Sequence, residues 1–189
     1  MGNAPRVIGI SAAAQKAADE AQNFNLTPAS DADEKNGVFN WHEIVKVSDA
    51  YCEAKTSQAG REMTAFIAKL TVTPLNPASK NVGRNTYFRA FMDVETWENG
   101  DGPEGMVTMN NISIAKLKSL LTSLGYQLDD NGDITPEALL ALFPAKGEGQ
   151  TASIGDRVQA NVRKAPRKDK RDGSVKDVSE IQSFSPYSE

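Results

Sequence analysis

The chain has one cysteine, Cys52, and one histidine, His42, among 189 residues. A lone cysteine excludes an internal disulfide and a cysteine-cluster metal site, and a single histidine leaves little for zinc chemistry. No apolar run approaches the roughly 20 residues that cross a bilayer. Residues 1–20 lack a basic stretch followed by a long apolar block, so a secretory signal is not expected. The Met-Gly-Asn start, with Pro5 and Arg6, fits the myristoylation pattern badly. P-loop, dinucleotide fingerprint, HExxH and nucleophile-elbow motifs are all missing. No enzyme, metal or cofactor is therefore expected, and a cytoplasmic protein without a membrane partner is. Apolar residues reach only 39%, below the usual share, which predicts polar tails or long loops.

The net charge of −4 argues against a protein that coats duplex DNA through overall basicity. The distribution says more than the sum. From Asp93 to Glu137 nine acids face only Lys116 and Lys118, whereas from Arg157 to Lys176 eight cations face only Asp169 and Asp172. A basic segment on an acidic chain still makes a local anion site.

Residues 1–37, rich in Ala, Ser, Asn and Asp, read as a weakly helical or flexible arm, and residues 38–184 as one domain with a short tail at 185–189. Segment 43–56 has strand composition. Segment 63–72 alternates, with Phe66, Ala68, Leu70 and Val72 on one side, and the two form a hairpin about Gly60. A loop rich in Pro and Gly leads to a third strand from Asn85. That strand puts Phe88, Ala90, Met92 and Val94 on one line and Tyr87, Arg89 and Phe91 on the other.

The period then changes. Ile114, Leu117, Leu121 and Leu124 make one helical stripe, with Asn111 or Ser113 as cap and Gly125 as the left-handed terminator. A second short helix over 133–143 has Thr135 as cap and Pro136 at its first position. Residues 153–165 alternate again, with Val158, Ala160 and Val162 inward, and 175–184 is a last strand. The prediction is a mainly β chain with a helical insert. Three strands, a helix or two, then two strands is the element order of a five-stranded antiparallel OB barrel.

Rings flanking a cation at Tyr87, Arg89 and Phe91 match what an OB sheet offers unpaired bases, each stack contributing about 1–3 kcal/mol. The alternative is a second small core beneath an arm or partner. Six cations fall within nine residues: Arg163, Lys164, Arg167, Lys168, Lys170 and Arg171. They are placed about a turn at Pro166, where the last barrel loop would grip phosphates. The bland reading is a solvated hairpin tip. Lys55, Arg61, Lys80 and Arg84 in the other connections, with Arg157, extend the basic path. Trp97 is either a stacking residue or a plug for the barrel end. Phe39 and Trp41 anchor the arm, and Cys52 is a small buried hydrophobe.

Asp129, Asn131 and Asp133 have the spacing of a calcium loop, but position 6 is Ile134 and position 12 Leu140, so the motif fails. Asp93, Glu95 and Glu98 lack the lysine context of a magnesium nuclease and read as solvated acids.

The stretches "KTSQAGREM", "VGRNTYF", "IAKLKSLLTSLG", "IGDRVQANV" and "VSEIQSFSP" occur in order from about Glu43 to Pro186. In this the chain resembles the phage-encoded single-stranded-DNA-binding proteins of the OB type, found beside recombination and replication genes. The resemblance implies that Tyr87, Arg89 and Phe91 lie on the base-stacking strand and that Gly155 turns the chain into the fourth strand. It also implies single-stranded DNA, or RNA, as ligand in the host cytoplasm, with replication or recombination proteins as partners and oligomers allowed. The chain departs from many such proteins at "SFSPYSE", whose only acid is Glu189, where they carry an acidic partner-recruiting run. The competing expectation is a virion or assembly component whose aromatic face docks protein.

Overall fold

The computed structural model describes residues 42–76, 79, 81–169 and 171–188. The arm expected over 1–37, together with Phe39 and Trp41, lies outside them. The described chain is mainly β, with five strands: β1 (His42–Thr56), β2 (Glu62–Val72), β3 (Asn85–Asp93), β4 (Arg157–Lys168) and β5 (Val175–Pro186). Between β3 and β4 stand α1 (Val94–Asn99), α2 (Glu104–Ser123) and α3 (Pro136–Leu142). The strands form one antiparallel sheet in the order β3-β2-β1-β4-β5.

The expected OB-like barrel is corrected to a sheet that is not closed, with β3 and β5 at its two edges. The physical reason is α2, which packs on both edge strands. Ser113 Oγ donates to the carbonyl of Phe91 at 2.7 Å and accepts from its N–H at 3.2 Å. Ser119 Oγ makes the same pair of bonds with Phe184 on β5, at 3.2 and 2.8 Å. Asn110 does likewise with Asp93, accepting from its N–H at 2.7 Å and donating to its carbonyl at 3.1 Å. Edge backbone groups that would otherwise need a neighbouring strand are thereby satisfied by a helix.

The core follows from the alternation. Val45, Val47, Phe66, Leu70, Phe88, Met92, Val158, Ala160 and Val162 point to the inner face, where Leu117, Leu120 and Leu121 of α2 and Leu142 of α3 cover them. Phe143 is fully buried at the centre, with ring centroids 5.5 Å from Phe66 and 6.2 Å from Phe88. Phe88 meets Phe184 edge-on at 5.7 Å, so residues of the two edge strands touch beneath the helix.

Three boundaries differ from the sequence reading. Val94 leaves the β3 line and starts α1, because the Asp93 carboxylate accepts from Thr96 N–H at 2.9 Å and caps a helix there. Helix α2 begins at Glu104, well before the expected caps at Asn111 or Ser113, and Ser113 instead clasps β3. Strand β4 runs through Pro166 to Lys168, paired residue by residue with β5, so the turn is 169–174. Among the described residues β1 pairs with β4 only as far as Asn161, so Pro166 takes no part in that pairing. The C-terminal end of α2 matches expectation: Gly125 takes φ 86°, and Tyr126 N–H donates to the carbonyl of Leu121 at 3.0 Å. Thr135 caps α3 by accepting from Ala138 N–H at 3.2 Å, with Pro136 first in the helix.

Candidate nucleic-acid interface

Strict alternation along β3 buries Thr86, Phe88, Ala90 and Met92 and turns Asn85, Tyr87, Arg89 and Phe91 outward. Tyr87 is 45% exposed and Phe91 37%. The Arg89 guanidinium lies 4.9 Å from the centre of the Tyr87 ring, a cation–π contact on the open face. Both rings are thus exposed on the described sheet, while the arm of the second-core alternative lies outside the described residues.

Register extends the stripe across three strands. Asp49, Lys69 and Tyr87 form one row, Tyr51, Ile67 and Arg89 the next, and Glu53, Ala65 and Phe91 a third. Adjacent strands lie about 4.8 Å apart, so each row spans roughly 10 Å. Ile67 and Ala65 are buried although they belong to this outer face, so the side chains around them form a shallow floor with rims. Tyr51 and Lys69 are thus members of the surface that sequence reasoning missed. The signal for Tyr51 was present, since Ala50 and Cys52 on either side are buried, but only the pairing puts it opposite Ile67 and Arg89. Lys146 completes the β1 rim, its ammonium 5.1 Å from the Tyr51 ring and 2.7 Å from Glu53.

The sequence-predicted cations divide. Lys55 sits at the end of β1, paired with Glu53 at 2.6 Å. Arg84 is exposed just before β3, and Arg157 is exposed at the start of β4 opposite Lys46. Arg61 belongs elsewhere. Its Nε donates to Asp93 Oδ2 at 2.6 Å and its Nη2 to Asp93 Oδ1 at 2.7 Å, with Glu95 at 3.1 Å. That fork is committed to a buried carboxylate. Trp97, on α1, is partly buried and packs against the core.

Of the basic run, Arg163, Lys164, Arg167 and Lys168 lie within β4. Lys168 and Arg171 are exposed, while Lys80 and Lys170 lie outside the described residues. Because β4 antiparallels β1, this run leaves the sheet at the end where β3 begins, the Tyr87 end. The β1–β2 turn, closed by Ser57 N–H to the Arg61 carbonyl at 2.8 Å, lies at the Phe91 end.

The acids are arranged by local chemistry. Arg61, with help from Thr96, holds the Asp93 carboxyl well below the usual range. Hydrogen bonds from Lys146 and Lys55 lower the Glu53 carboxyl from its ordinary value. Asp129 spends one carboxylate oxygen on the N–H groups of Asn131 and Asp133, at 2.9 and 2.8 Å, an Asx turn leading toward α3. No cluster of three metal-ligating side chains occurs among the described residues. No helix among them is long and apolar enough to cross a membrane. The acidic segment also borders the stripe: Gly105, Thr108, Met109, Ile112, Ser113 and Lys116 of α2 line an open groove of about 350 Å³ beside Arg89 and Phe91.

No protein-family model matches the chain, and neither does any curated protein.

Proposed function

We propose that this protein binds single-stranded DNA without catalysing a reaction and largely without regard to base sequence, as the phage-encoded OB-type proteins it resembles do. The observation that carries the reading is the exposed Tyr87–Arg89–Phe91 stripe on the β2–β3 surface, flanked by Tyr51 and Lys69. Flat rings tolerate any base, because every base has a π-face, and arginine adds charge without base readout. An OB barrel is itself partly open, and it binds along its second and third strands with the first and last hairpin turns as jaws. Here those turns stand at opposite ends of the stripe. Arg61 takes no part in the proposed contact, since Asp93 holds it.

A fluorescence titration with oligo-dT at several salt concentrations tests the reading. Affinity falls with a log–log slope of about −0.7 per phosphate contacted. Tyr87→Ala with Phe91→Ala weakens binding by at least about thirtyfold, two lost stacks at the lower estimate. Salt-indifferent binding, or a double variant that binds as the wild type does, would falsify the mechanism. A stable protein complex with no oligonucleotide affinity would favour the assembly-component reading instead, and an oligo-U arm separates RNA from DNA.

A further inference from the structure

The groove beside Phe91 differs in kind from the open stripe. One wall is β3, with Arg89 and Phe91, and the other is the flank of α2, with Met109, Ile112 and Lys116. Its floor is closed by the Ser113 hydroxyl, which both Phe91 backbone bonds hold in place. We propose that this groove receives one nucleotide of the bound strand, its base between Phe91 and the Met109–Ile112 flank and its phosphate between Arg89 and Lys116. The inference rests on the single-strand-binding reading and specifies one subsite of that surface.

Three features select this occupant. The volume, about 350 Å³, lies at the lower end of the roughly 300–1,000 Å³ range that holds small ligands, and suits one nucleotide rather than a helix or an extended peptide. The groove offers an aromatic face opposite a thioether and a branched aliphatic chain, the surroundings a flat heterocycle prefers. Its charge complements an anion: Arg89 stands on one wall and Lys116 on the other, one turn beyond Ile112. Lys116 is 3.6 Å from Glu180, a loose pair that a phosphate can compete with. Arg89 and Phe91 belong to the stripe and the groove alike, so a strand crossing the rings reaches the groove without a break.

Ultraviolet crosslinking of the full chain to oligo-dT carrying 5-iodouracil, with adducts mapped by mass spectrometry, reads where bases sit. Titration of Met109→Trp, which fills the groove, and of Lys116→Ala reads what the groove contributes. The expected result is adducts on the 104–116 segment and about tenfold weaker binding by Met109→Trp. Lys116→Ala then shows a salt slope shallower by about 0.7. Adducts confined to Tyr51 and Tyr87, with Met109→Trp and Lys116→Ala binding as the wild type, overturn the groove and leave the stripe reading intact. A wild-type protein that binds no oligonucleotide overturns both.

Discussion

Asp93 is the residue on which most local chemistry converges. It is fully buried, is forked by Arg61 and caps α1, and its backbone N–H and carbonyl are both taken by Asn110. Its carboxyl is held below the ordinary range, chiefly by Arg61. The unfolded chain, with an Asp pKa of about 3.9, therefore takes up protons first as pH falls. The contribution to stability is complete above that value and declines as pH drops through and below it. Thermal melts from pH 7 to pH 2 are expected to show this acid loss in the wild type and a flatter profile in Asp93→Asn. The variant is also expected to melt roughly 5–10 °C lower at neutral pH, because Arg61 and the cap lose a charged partner. None of this was legible in the sequence. Arg61 and Asp93 are 32 positions apart, one read as part of a basic path and the other as a solvated acid, and only the β2–β3 register makes them neighbours. Cys52 was legible: it is buried between alternating neighbours, and burial pushes its thiol pKa up.

Among the elements, α2 does what a sixth strand or a closed barrel would otherwise do. Ser113 and Ser119 each bond both the N–H and the carbonyl of one edge residue, on opposite sides of the opening. Ser→Ala at either position leaves a donor and an acceptor without that partner, at a cost of about 1–3 kcal/mol. Urea unfolding of Ser113→Ala and Ser119→Ala should show lowered midpoints with unchanged slopes, and Ser123→Ala at the end of the helix serves as the control. The apolar stripe of α2 was readable from its spacing, because period 3.6 is a property of one segment alone. Its serines were not readable. A helical serine near a predicted start resembles a cap, and a hydroxyl facing a distant strand leaves no periodic trace. The same limit moved the 163–168 run into β4: proline and dense charge are turn signals by composition, whereas pairing with β5 carries the strand through them.

For the whole molecule, strand count, sheet type and the inward lines of β2, β3 and β4 were expected from the sequence, and the open edge was not. Closure depends on how two distant strands approach, and here four rings pack beneath α2 where the edges come near each other. Phe143, in the chain just after α3, packs on Phe66 of β2 and on Phe88 of β3, which in turn meets Phe184 of β5. Phe143→Ala empties the centre of this stack and is expected to cost about 3–5 kcal/mol, read as a fall in the unfolding free energy by chemical denaturation. The clasp formed by α2 has a mechanical side as well. Hydrogen bonds in the interior of a helix are internal, so α2 adds no rung to the four strand pairings and holds the sheet through side chains alone. Asn110, Ser113 and Ser119 clasp the two edge strands, and Leu117, Leu120 and Leu121 fill the space between them. The wall of this molecule thus has a built-in seam, and it runs beside the rings most exposed to solvent.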